Sequence, residues 1–187
     1  MCQTGFEIYT SSQIIFKFEQ IMLDIISFKA ASEKDIPLIH QLGEKIWRVH
    51  YPSIISQGQI EYMLEWMYSE KNLKVQIENG QKFTIIYLNE EAVGYFSISE
   101  KNPHHFFLHK FYIDTSQHRK GIGNSAFEYM LKNSCPNFKT ITLQVNRRNI
   151  KAVNFYFKKG FNIDRSEDFD CGGGYTMDDF FMILKRK

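Results

Sequence analysis

The chain has 187 residues, 43% of them hydrophobic and 16% aromatic, which suits one domain with a sizeable core and argues against disorder. Its 23 basic and 21 acidic residues leave a net charge of +2, so composition gives little ground for nucleic acid as a partner. The three cysteines, Cys2, Cys135 and Cys171, are odd in number and far apart. They carry no metal spacing and argue against a disulfide framework, which fits a reducing compartment.

No stretch reaches the ~18 uncharged apolar residues of a membrane span. The opening "MCQTGFEIYTSSQIIFKFEQ" lacks the basic start and continuous apolar run of a signal peptide. The expectation is a cytoplasmic protein with no membrane partner. Met22 offers an alternative start, because regular patterning begins just after it. Residues 1–21 therefore read as an extension and 22–187 as a single domain. Within the extension, Gly5–Phe18 reads either as an added strand or as an ordered tail.

"DIISFKA" (24–30) alternates as a strand does. Ser32 and Asp35 have capping-box spacing and open a helix whose apolar stripe is Ile36, Ile39, Leu42 and Ile46. A second helix carries Ile60, Met63, Leu64 and Met67. "WRVHYPSIISQGQ" between them reads as a loop. A short helix is expected over 70–78, ending at Gly80. "KFTIIYL" and "AVGYFSI" around "NEE" form an antiparallel hairpin, and "FFLHKFYI" (106–113) is the third strand of a meander. A helix with Ile122, Ala126, Met130 and Leu131 on one face follows and stops before Pro136. "TITLQV" (140–145) is a strand. The helix after it is expected to turn Ile150, Val153 and Phe157 inward, with Gly160 just past its end. "FNIDRS" and "TMDDFFMIL" are two last strands around "CGGG". The order describes an α/β layered domain with a mixed sheet.

"QHRKGIGNSA" (117–126) lies between a strand and a helix. The first N–H groups of that helix lack internal partners, and its dipole favours an anion. Gly121 and Gly123 let backbone approach a ligand, and Arg119 and Lys120 add charge. The functional reading is a diphosphate held by the amides of about 119–124; the plain one is a tight turn that uses glycine for its dihedrals. "GIGNSA" also fits the dinucleotide fingerprint, but the next strand ends "LQVNRRN" without the acid that fingerprint requires. A Walker A loop fails because no Lys-Ser or Lys-Thr follows the glycines.

"NIKAVNFYFKKGF" (149–161) has the pattern N-x-x-A-x-x-x-Y-x-K-x-G-F. Together with "FYIDTSQHRKGIG" upstream, it resembles the GNAT superfamily of acetyl-CoA-dependent N-acetyltransferases, over about residues 24–187. One departure is His118, which stands where the family usually has Gln or Arg. "IWRVHYPSIISQGQIEYMLEWMYS" and "DFDCGGGYTMDDFFMILK" look like the bacterial branch that includes polyamine acetyltransferases.

The resemblance implies the GNAT fold, a mixed, mostly antiparallel sheet of about seven strands flanked by helices. It implies acetyl-CoA as acetyl donor, a small-molecule amine or polyamine as acceptor, and no metal. The oligomeric state is left open, a homodimer included. The rivals are a protein N-terminus or lysine as acceptor, and a non-catalytic acetyl-CoA-binding module. Phe111, Tyr112 and Ile113 would pair by backbone with the pantetheine arm. His118, Arg119, Lys120, Gly121, Ile122, Gly123 and Asn124 would form the diphosphate cradle.

Asn149, which reads equally as a helix cap, would reach the cofactor. Tyr156, two turns on, would protonate the departing thiolate. Lys158 would meet the 3′-phosphate or simply sit in solvent. The acceptor ammonium must lose a proton before it attacks. His109 is the candidate base, with Tyr112 and a water chain as alternatives. Trp47 and Tyr51 would wall the acceptor site, and Glu65, with Glu61, would draw in a cation or form a solvated helix face.

Overall fold

A computed structural model describes residues 24–118 and 120–186. The extension before them, Gly5–Phe18 included, and Arg119 lie outside the described residues. Seven strands form one sheet in the order β1-β2-β3-β4-β5-β7-β6. They are β1 (Ile26–Ala30), β2 (Lys82–Leu88), β3 (Glu91–Asn102), β4 (His105–Ile113), β5 (Thr140–Asn146), β6 (Asn162–Gly172) and β7 (Tyr175–Lys185). Only the β4–β5 pairing is parallel. Five helices flank the sheet: α1 (Ile36–His50), α2 (Gln57–Tyr68), α3 (Glu70–Glu78), α4 (Ile122–Tyr129) and α5 (Ile150–Lys158). No helix among the described residues is long and apolar enough to cross a membrane.

Local chemistry explains the helix starts. Asp35 Oδ2 accepts both the backbone N–H and the hydroxyl of Ser32, each at 2.9 Å. That fixes the entry to α1, whose Ile36, Ile39, Leu42 and Ile46 are buried. The helix runs through Trp47 to His50, so the expected loop shrinks to the short segment before Gln57. Ser56 Oγ caps α2 by accepting from Gln59 N at 3.2 Å.

The inward face of α5 departs from the sequence expectation. Ile150 and Phe157 are exposed, and the buried residues are Val153 and Tyr156. Asn149, Val153 and Tyr156 are spaced four and three residues apart and share one side of this nine-residue helix. Ile150 and Phe157 each follow that side by one residue, a rotation of about 100°.

Two cores lie on opposite faces of the sheet. One gathers α4 and α5 with Phe96, Leu108, Phe127, Leu143 and Phe161. The other gathers α1, α2 and α3 with Trp47, Tyr68, Phe83, Ile85 and Tyr95.

Candidate active site

The site begins where the two parallel strands part. β4 and β5 pair only over His105–Leu108 and Thr140–Leu143. In the β3–β4 ladder Ser97 faces Lys110 while Ile98 faces Leu108, so His109 is the extra residue of a β-bulge. A bulge bends its strand and adds twist. Past it, β4 leaves β5, and the backbone edge of residues 109–113 has no strand partner on that side. Residues from both cores line the resulting cavity of about 530 Å³.

One end of the cavity is the start of α4. Gly121 holds φ +78° as its cap, a conformation that costs any residue with a Cβ. Ser125 N–H bonds Gly121 O at 3.1 Å, so the N–H groups of Ile122, Gly123 and Asn124 precede the first helical bond and remain available. A Cβ at Gly123 would meet Ile113 and Phe155 at an ordinary 3.5 Å. Packing within the protein therefore does not demand glycine there, and the space it leaves opens toward the cavity. His118 Nε2 lies 3.2 Å from Ile113 O, so its ring ties the loop to the end of β4.

Asn149 and Tyr156 approach from α5. Asn149 Oδ1 accepts from Ala152 N at 3.3 Å, so the cap is formed, and the residue also lines the cavity. Tyr156 is buried with its ring edge-on to Phe155 and Phe161. Burial, with Tyr112 close by, pushes its phenol well up. The group is a neutral proton donor at any physiological pH.

The opposite wall is aromatic. Trp47 stacks on Tyr51 at 4.0 Å between centroids, and the Tyr51 and Tyr112 hydroxyls meet at 3.4 Å. Trp66, Met67, Phe169 and Met177 extend this wall. Tyr62, on α2, donates from its hydroxyl to Cys171 O at 3.0 Å. A Cβ on Gly172 would strike the Tyr62 hydroxyl, one on Gly173 would strike the Tyr62 ring at 2.7 Å, and all three glycines of "CGGG" have positive φ. Those glycines let the β6–β7 hairpin close against α2.

Two buried polar side chains face each other across the β5–β7 ladder, Asn146 and Asp179. They are 5% and 3% exposed, line the cavity, and leave Asn146 Nδ2 and Asp179 Oδ1 without hydrogen-bond partners. Burial, then neighbouring Asp178, pushes the Asp179 carboxyl up to about 7, against a smaller opposing effect of Arg147.

The structure brings together most of the residues singled out from sequence. Trp47, Tyr51, His109, Phe111, Tyr112, Ile113, His118, Gly121, Ile122, Gly123, Asn124, Asn149 and Tyr156 all line this cavity. Others stand apart. Glu65 is exposed on α2 outside the cavity, and Glu61 is paired with Arg48 at 2.5 Å, the solvated-face arrangement. Lys120 and Lys158 are exposed and do not line it.

His109 shares a 2.8 Å hydrogen bond with Ser99 Oγ. Burial, with Lys110 and Lys101 nearby, pushes its imidazole down to about 4. So weak a base is poorly matched to an alkylammonium of pKa about 10.4. Sequence reading missed Asn146 and Asp179. A usable signal was present, since two aspartates interrupt the apolar run "TMDDFFMIL" and aspartate is depleted in strands.

Comparison with known proteins places this geometry. The model of the acetyltransferase (GNAT) domain matches residues 53–173, more than half of the chain. No curated protein matches in sequence. Among solved structures, the chain is similar to the PaiA N-acetyltransferase from Thermoplasma acidophilum in complex with coenzyme A. The TM-score is 0.68 at 23% identity, covering 87% of this chain and 99% of that one. It is similar to the ribosomal-protein-S18-alanine N-acetyltransferase from Escherichia coli, with TM-score 0.66 at 15% identity, covering 86% and 94%. It also resembles YncA, a putative acetyltransferase from Salmonella typhimurium with acetyl-CoA, with TM-score 0.58 at 13% identity, covering 86% and 94%.

Proposed function

Because the chain belongs to the GNAT acetyltransferase domain family, we propose that it transfers the acetyl group of acetyl-CoA to a primary amine within a ternary complex. The observation that carries this reading is one cavity at the parting of β4 and β5 that joins an open strand edge, a helix start with N–H groups ahead of its first helical bond, and Tyr156.

The residues present fit the donor. The edge of residues 109–113 offers backbone groups to an extended amide-bearing arm, as to an added strand. The N–H groups of Ile122, Gly123 and Asn124 suit a diphosphate, and Gly123 keeps that approach clear. Bound there, acetyl-CoA supplies an activated thioester carbonyl. A backbone N–H on the Phe111–Ile113 edge donates to the carbonyl oxygen as charge builds on it. Tyr156 gives its proton to the sulfur as the C–S bond breaks. The aromatic wall of Trp47, Tyr51 and Tyr112 excludes water and orients the amine. Asn149 acts through its cap, which fixes the start of α5 and so the position of Tyr156.

Gly123→Asp tests the donor half. Acetyl-CoA at 100-fold over its Kd is expected to stabilise the wild type by about 2.7 kcal/mol, read as a rise in Tm. The variant should lose that rise while keeping its own Tm near wild type, since the protein has room for the added Cβ. NAD and ATP should give no comparable rise in either protein. An undiminished acetyl-CoA shift in the variant would remove the cradle from this reading. Binding of acetyl-CoA without release of CoA across a broad amine panel would favour a non-catalytic binding module.

A further inference from the structure

Resting on that reading, we propose that Asp179 anchors the acceptor ammonium and takes its proton, and that the acceptor is a small monocationic amine carrying an apolar or aromatic body.

Asp179 is the only carboxylate among the described residues that line the cavity. It is almost fully buried, with Oδ1 unpartnered and Asn146 Nδ2 unpartnered beside it. A buried carboxylate without a hydrogen-bond donor is costly, and an ammonium entering the cavity supplies the donor. The charged groups nearest Asp179 are already engaged: Arg147 with Asp168, and Asp178 with Arg148. The other titratable groups facing it are Tyr51, Tyr112 and Cys171. Burial raises both phenols, and the Cys171 thiol donates to Tyr175 O at 3.2 Å, so none of them supplies a positive charge.

One carboxylate matches one cation. The cavity that Asp179 lines is also walled by Trp47, Trp66, Met67, Phe169 and Met177, which favours hydrocarbon or an aromatic ring. The second and third ammonium groups of a polyamine would be stripped of water against that wall, and no second carboxylate among the described residues lines the cavity to meet them. The hydrogen bond from Tyr62 to Cys171 ties α2 to the β6–β7 hairpin.

The proton balance is complete. R–NH3+ gives one proton to the Asp179 carboxylate, and the freed lone pair forms the C–N bond to the thioester carbon. The C–S bond breaks, and the sulfur takes the Tyr156 proton. The new amide nitrogen loses its second proton, which restores Tyr156 through solvent. Asp179 then returns its proton to bulk water, so one proton is released per acetyl group transferred.

The test uses full-length protein saturated with acetyl-CoA and measures free CoA. 2-Phenylethylamine and n-hexylamine should exceed spermidine, and an alanine-ended peptide, by about 100-fold in kcat/KM. Asp179→Asn should raise KM for 2-phenylethylamine at least tenfold and remove the acid limb near pH 7 from the rate profile. It should leave the acetyl-CoA thermal shift intact. If that variant does not fold, the wild type still decides. Its affinity for 2-phenylethylamine, read by thermal shift with CoA bound, should fall about tenfold per pH unit below 7. Preference for spermidine or for the peptide, an unchanged KM in folded Asp179→Asn, or pH-independent amine affinity would each overturn the proposal while leaving acetyl transfer standing. Absence of turnover with every amine, despite acetyl-CoA binding, would overturn the transfer reading and this inference with it.

Discussion

Tyr156→Phe is expected to lower kcat about 100-fold while leaving acetyl-CoA affinity close to wild type. The phenol lines the cavity, and burial keeps it protonated. General acid catalysis contributes about 10²–10⁴-fold. The low end applies here, because a thiol of pKa about 8.5 departs tolerably without help. The ring packing against Phe155 and Phe161 survives the loss of one oxygen, so the fold and the donor site should be retained. Single-turnover kinetics with acetyl-CoA and the best amine would isolate the chemical step. A wild-type rate in that step would remove Tyr156 from the proton path. A loss confined to KM would make it a binding residue.

Asp179→Asn is expected to stabilise the amine-free protein at pH 8, with the gain disappearing toward pH 4. The carboxyl titrates at 3.8 in an unfolded chain and at about 7 in the folded one, chiefly because it is buried. Its folded value is raised, so the native state is undiminished below 3.8. Stability is lost as pH climbs from there to about 7, where the buried group finally ionises. That rise corresponds to at most about 4 kcal/mol. Asparagine keeps the shape and carries no charge. Urea unfolding of both proteins at pH 5 and pH 8 would read the difference. A gap that does not change with pH would show that ionisation of Asp179 carries no folding penalty. A saturating monoamine should narrow the gap at pH 8 by stabilising the wild type alone.

What the sequence revealed and what it hid divide along a physical line. The Ser32–Asp35 capping box, the turn that uses Gly121 for its dihedrals and the shared face of Asn149 and Tyr156 depend on residues within two helical turns, and each is formed. The bulge at His109 depends on how β3 pairs with β4, which no local pattern specifies. The opposition of Asn146 and Asp179 depends on β7 lying between β5 and β6, a long-range choice. The orientation of α5 departs from its apolar pattern because Ile150 and Phe157 are apolar yet exposed, and apolarity alone does not force burial. Glu65 has helical spacing from Glu61, but spacing could not reveal that this side of α2 faces away from the cavity.

The separation of the two cores has a consequence for how such a protein diversifies. Helices α4 and α5, with Ile122 and Tyr156, pack on one face of the sheet, and α1 and α2, with Trp47 and Met63, pack on the other. Substitutions far apart with no shared partners act nearly independently. Under the proposed function, exchange of Met63, Phe169 or Met177, which line the cavity, would change the accepted amine and leave the donor end intact. Descendants of one ancestral gene would then keep a common donor and part company over what they modify.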